Sequence, residues 1–82
     1  MTSSVHYTGG LRTTCTHLKS GNSVETDAPT DNHGKGERFS PTDLMATSLA
    51  TCMITVMGIK AQSMGFDLDG VKIDVLKIMK AD

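Results

Sequence analysis

From Leu44 to Ile59, sixteen consecutive positions carry no charge, and Cys52 stands near their middle. The approach to this run, Ser40-Pro41-Thr42-Asp43, reads as a helix start. Ser40 suits the N-cap, Pro41 suits the first helical position, where its missing N–H costs nothing, and Asp43 can reach back as the acid of a capping box. Gly65 is the corresponding stop. The 24 residues between these signals predict a helix roughly 36 Å long, at 1.5 Å per residue. Its lack of charge predicts burial, with neighbours on most sides. Ahead of the helix the pattern is extended. Ser3 to Thr8 precedes a Gly9-Gly10 turn, Leu11 to Lys19 is rich in threonine, and Ser20-Gly21-Asn22 marks a second turn before Ser23 to Asp27. Ala28 to Phe39 keeps no periodicity and reads as a surface loop, a lid or interface loop by its glycines. Beyond the turn at Asp67-Leu68-Asp69-Gly70, Val71, Ile73 and Val75 alternate with Lys72 and Asp74, which predicts another strand. The order is β-β-β-α-β, a single α+β domain over residues 1–82.

Length limits how such a helix is covered. A chain of 82 residues buries only about 60% of its unfolded surface, so self-association is the natural remedy for a long apolar helix. A net charge of −1 and an aromatic fraction of 4% provide neither the basic field nor the stacking platform of a nucleic-acid binder. Two cysteines 37 positions apart make no disulfide framework, which points to the reducing cytoplasm. The start of the chain carries no basic segment followed by an apolar one, so no secretory signal is read there. Thr47, Ser48, Thr51, Thr55 and Gly58 interrupt the central run, which falls short of the roughly 18 apolar residues of a membrane span. The expectation is a water-soluble, cytoplasmic protein with no membrane partner.

Cys52 is the candidate reactive group. At 100° per residue it shares a face with Met45, Ser48, Leu49, Thr55, Val56, Ile59 and Ser63. Apolar burial raises a thiol pKa, and the helix dipole fades within a turn, whereas Cys52 lies eleven residues beyond Pro41. Activation therefore needs a cation brought by tertiary structure. Without one, Cys52 is a packing residue. The second cysteine, Cys15, forms Cys-x-His with His17 on one strand face, and His6 on a neighbouring strand would complete three zinc ligands. That spacing matches no established site, so neither metal nor cofactor is expected. Gly34-Lys35-Gly36 lacks P-loop spacing, and methionines 45, 53, 57 and 64 suit adaptable packing.

Three segments carry a family resemblance: Tyr7-Thr8-Gly9-Gly10-Leu11-Arg12, then Thr26-Asp27-Ala28-Pro29, then Gly34 through Leu44 leading to Cys52-Met53. Together they resemble the N-terminal part of the OsmC/Ohr family, the osmotically inducible and organic hydroperoxide resistance proteins. The Ser-Pro-x-acid-Leu element eight residues before Cys-Met is the distinctive part. The resemblance implies an OsmC-like fold and an intertwined homodimer with sites at the subunit interface, of which this chain would lack the C-terminal half. It also implies a peroxiredoxin-like thiol peroxidase that reduces organic hydroperoxides with electrons from an external dithiol. Cys52 then maps onto the peroxidatic cysteine. An arginine paired with a glutamate holds the family's thiolate, and Arg12 is preferred to Arg38 for that role. The glutamate position falls on Thr42, so Glu37 or Asp43 would have to substitute. The resolving cysteine of the family has no counterpart in this sequence. The alternative is a non-catalytic, dimeric OsmC-like binding or interaction module in which Cys52 is structural.

Overall fold

A computed structural model describes residues 1–79, and its contacts fall into two compact units that part between Thr42 and Asp43. The first unit is a three-stranded antiparallel sheet in the order β1-β2-β3, formed by Ser3–Gly9, Arg12–His17 and Ser23–Asp27. Gly9 pairs with Arg12, leaving Gly10 and Leu11 as a two-residue loop with φ of 64° at both. Two left-handed residues in a row make the type I′ turn, whose twist matches the strands it joins. The predicted Gly9-Gly10 turn is thus displaced by one residue, and Leu11 takes a conformation that usually falls to glycine or asparagine. At the second turn, His17 and Asn22 are joined by a backbone bond of 2.8 Å, and Gly21 has φ of 78°.

The loop after β3 is fastened by its own backbone. A 3-10 turn at Thr30–Asn32 is followed by His33 in the left-handed region, and the amides of Asn32 and Gly34 both donate to the Pro29 carbonyl at 2.9 Å. Gly34 passes so near the Ala28 carbonyl that a β-carbon there would stand 1.7 Å from its oxygen. Only glycine fits that passage. Phe39 then bridges Thr26 in parallel, and the Asp27 amide donates to the Phe39 carbonyl at 2.9 Å. The glycines of this segment therefore shape a pinned return along the β3 edge, where the sequence alone reads as a surface loop serving as a lid or interface.

The second unit is built on the helix α1, Pro41–Ser63, which opens at the junction with Pro41 in its first turn, as the sequence predicts. Ser40 is 2% exposed and its hydroxyl lies 3.2 Å from that of Thr42. Asp43, expected as a capping acid, accepts an ion pair from Lys77 at 2.6 Å. The helix ends in a Schellman arrangement: Gly65, with φ of 79°, donates to Gln62 at 3.1 Å and Phe66 donates to Ala61 at 2.8 Å. At the following turn, the backbone amide of Asp69, and after it the Asp69 side chain, hold the Asp67 carboxyl below its ordinary range.

Three expectations need correction. Val71, Ile73 and Val75 do not form a strand, although their alternation does select one face. That face lines a groove against Thr47, Ala50, Thr51 and Ile54 of α1. Period-two patterning specifies which side chains share a side, while a strand also needs a backbone ladder partner, and this segment packs on a helix. Second, α1 is not buried. None of its residues is buried, and among the described residues no apolar side chain is. Within its unit the helix meets residues 66–75 along one side, so its other sides stay open. Third, by length and composition α1 is long and apolar enough to cross a membrane, with a mean hydropathy of 1.5 over its best window. Within the run, Ser48 bonds back to the Met45 carbonyl at 2.7 Å and Thr51 to that of Ser48 at 2.8 Å, as Ser63 does to that of Lys60 at 2.6 Å nearer the helix end. The core helix of a water-soluble protein meets the same criterion.

Candidate active site

Register decides which side chains of the sheet meet. Arg12 lies directly opposite Asp27 across the β2–β3 ladder, so the two side chains share a face. Asp27 is 0% exposed. Its Oδ2 accepts from Arg12 Nη2 at 3.5 Å and from the backbone amide of Glu37 at 3.1 Å. Its Oδ1 is buried with no hydrogen-bond partner among the described residues. The Arg12 guanidinium, 30% exposed, also pairs with the Glu37 carboxylate, which is 53% exposed. Of the two acids offered by the sequence as partners for the arginine, Glu37 is the one the structure brings to it, while Asp43 is engaged by Lys77. The trio of Arg12, Asp27 and Glu37 carries a formal charge of −1.

Arg38, the other candidate cation, pairs with Glu25 at 3.2 Å and donates to the Glu37 carbonyl at 2.9 Å. Its side chain is 48% exposed. It is a surface arginine that ties the loop to β3.

The sheet separates the three residues considered as zinc ligands. His6 stands opposite Thr14, whereas Cys15 stands opposite Val5 and Val24. Cross-strand partners share a face and adjacent residues alternate, so His6 projects on the side opposite to Cys15 and His17. Cys15 is a half-buried free thiol with Thr13 Oγ1 at 3.9 Å, and the His17 ring bonds Ser20 Oγ at 2.6 Å.

Cys52 belongs to the second unit, where it is a free and exposed thiol on α1. The residues of α1 that line the groove against the Val71–Val75 segment are centred roughly 150° around the helix from Cys52 at 100° per residue. The thiol therefore looks away from that groove. Met45, Leu49, Val56 and Ile59, which share its face by helical spacing, are all exposed. The sequence-based expectation of a thiol enclosed by apolar neighbours is thus corrected: it is an accessible thiol within an open apolar strip.

Asp27 is the site residue that reading the sequence by motif overlooked. The β2–β3 register is centred between Lys19 and Ser20, whereas the turn signal in the sequence is Ser20-Gly21-Asn22, and counting outward from that signal sets position 30, not 27, opposite position 12.

No family model matches the chain, and no curated protein does. Among solved structures, it is similar to a crystal structure described as that of a "putative osmotic stress induced and detoxification response protein" from Psychrobacter arcticus 273-4, with 58% identity and a TM-score of 0.96 over 100% of this chain. The chain spans 60% of that protein's length. With three antiparallel strands leading into one long helix and identity over its whole length at this level, the chain belongs to the OsmC/Ohr family.

Proposed function

We propose that this chain carries the peroxidatic half-site of a thiol peroxidase for organic hydroperoxides, with Cys52 as the reacting sulfur and Arg12 as the cation that holds its thiolate. One observation carries the reading: an exposed free thiol at Cys52, flanked on its own helix face by the exposed apolar side chains of Met45, Leu49, Val56 and Ile59. Such a strip favours a peroxide with an organic substituent over a small polar one. The thiolate attacks the distal oxygen, an S–O bond forms as the O–O bond breaks, and the departing alkoxide takes a proton to become the alcohol. Cys52 is left as a sulfenic acid. An external dithiol completes the cycle: its first thiol displaces water to form a mixed disulfide, and its second releases Cys52 as the thiol while the reductant becomes a disulfide. The protein works as a homodimer in the cytoplasm, without cofactor or metal, and a second copy covers much of the open helix.

The test is intact-mass spectrometry after one equivalent of cumene hydroperoxide, with dimedone present to trap sulfenic acid. A single adduct on Cys52, absent from Cys52→Ser, is the expected result. Unmodified protein, or an adduct retained in Cys52→Ser, ends the proposal.

A second reading has its own support. Thr42 occupies the family's glutamate position, its hydroxyl bonded to Ser40, and Arg12 is matched by two carboxylates. A net negative cluster does not acidify a thiol. On that ground the chain would be a non-catalytic dimeric module, and Cys52 would alkylate near pH 6 no faster than an ordinary thiol.

A further inference from the structure

We propose that Asp27 is the positioning residue for Arg12, and that Glu37 is secondary to it. This rests on the reading of Arg12 as the cation that serves Cys52. The two carboxylates beside Arg12 differ in burial and in what holds them, although Glu37 makes the closer contact and Asp27 Oδ2 lies at 3.5 Å. Asp27 is wholly buried, is held in a ladder directly opposite Arg12, and has its own amide bonded to the Phe39 carbonyl at 2.9 Å. A carboxylate so placed is shut off from bulk solvent. Glu37 sits in the loop with half of its side chain in solvent, and its backbone amide is itself held by Asp27 Oδ2 at 3.1 Å. Asp27 is therefore the common node: one oxygen receives the guanidinium and also sets where Glu37 stands.

The orphaned Oδ1 sharpens the point. A buried carboxylate needs donors or a counter-charge, and this one finds two donors at one oxygen and none at the other among the described residues. Its compensation consists of Arg12 and a single amide. Among the described residues no other cation pairs with Asp27, so this carboxylate depends on the Arg12 guanidinium. Glu37, exposed and solvated, exerts a weaker and screened pull.

Asp27→Asn tests this in the full-length chain. The variant keeps the shape and retains an oxygen to accept the Glu37 amide, so the loop stays fastened while the charge is removed. The readout is 15N relaxation at Arg12 Nε, assigned by comparison with Arg12→Lys. Wild-type protein should show the rigid range, an order parameter near about 0.85, and Asp27→Asn should fall to about 0.6 or less. An unchanged value overturns the proposal. Glu37→Gln is the companion variant and should keep Arg12 ordered; loss of order there overturns the proposal even where Asp27→Asn does not fold. Iodoacetamide alkylation of Cys52, measured in the same proteins, separates this inference from the functional reading. If Asp27→Asn disorders Arg12 but neither it nor Arg12→Lys alters the alkylation rate, Asp27 still positions Arg12, and the role of Arg12 at Cys52 falls.

Discussion

At the residue scale the consequential pair is Arg12 and Asp27. The carboxylate has no solvent and the guanidinium is 30% exposed, so removing the cation leaves a buried negative charge with a single amide for compensation. Arg12→Ala is therefore expected to cost about 2–3 kcal/mol in urea denaturation, somewhat under the loss for a fully buried pair because Arg12 reaches solvent. A cost below about 0.5 kcal/mol would mean that Asp27 is compensated by something other than Arg12. Arg12→Lys keeps the charge and loses the planar fork, which makes it the better probe of chemistry at Cys52. The arginine, its acidic alternatives and the candidate cysteine were legible as residue types with known chemical needs. Asp27 was not, because nothing in its own sequence neighbourhood marks a buried acid. Its burial comes from the returning loop, whose Phe39 carbonyl and Glu37 amide close over it.

At the scale of elements, boundaries followed local chemistry closely. Pro41 at the helix start and Gly65 past its end act within one turn of their own positions, and both stand where backbone rules put them. The first hairpin shows the same kind of rule applied one residue late. A type I′ loop needs two left-handed residues, and Gly10-Leu11 forms it although Gly9-Gly10 is chemically better suited. The register places the loop there: Gly9 pairs with Arg12 after a slip between Tyr7 and Gly9. Leu11→Gly should relieve the left-handed strain and stabilise the chain by about 0.5–1 kcal/mol, less than the full strain because glycine also loosens the unfolded state. Thermal or urea unfolding measures it. A loss of stability would show that the Leu11 side chain contributes packing that outweighs the strain. The segment from Val71 marks where pattern reading stopped working, since alternation is equally satisfied by a strand in a sheet and by an extended segment laid on a helix.

At the scale of the whole molecule, the dominant fact is apolar surface without cover. Met45, Leu49, Met53, Val56, Met57 and Ile59 are each more than half exposed along α1, and no apolar residue is buried among those described. Burial of apolar area contributes roughly 25 cal/mol per Å², so a chain that leaves its longest helix open forgoes most of that contribution. The proposed association with a second copy would recover it. The unfolding midpoint should therefore rise with protein concentration, by an amount set by mass action. A midpoint constant over a hundredfold range of concentration would exclude association as the source of stability.

Helix limits, turns to within a residue or two and the unusual charge-free run around Cys52 follow from the chain's own order of residues, because each depends on backbone geometry and side chains within a few positions. The family signature was legible for the same reason, each of its three segments being a short run of neighbouring residues. Whether Asp27 is buried, which acid reaches Arg12, whether His6 meets Cys15, and whether an alternating segment finds a ladder or a helix depend on residues nine or more positions apart. Those outcomes follow from register and from how the loop returns along β3, and no local pattern encodes them.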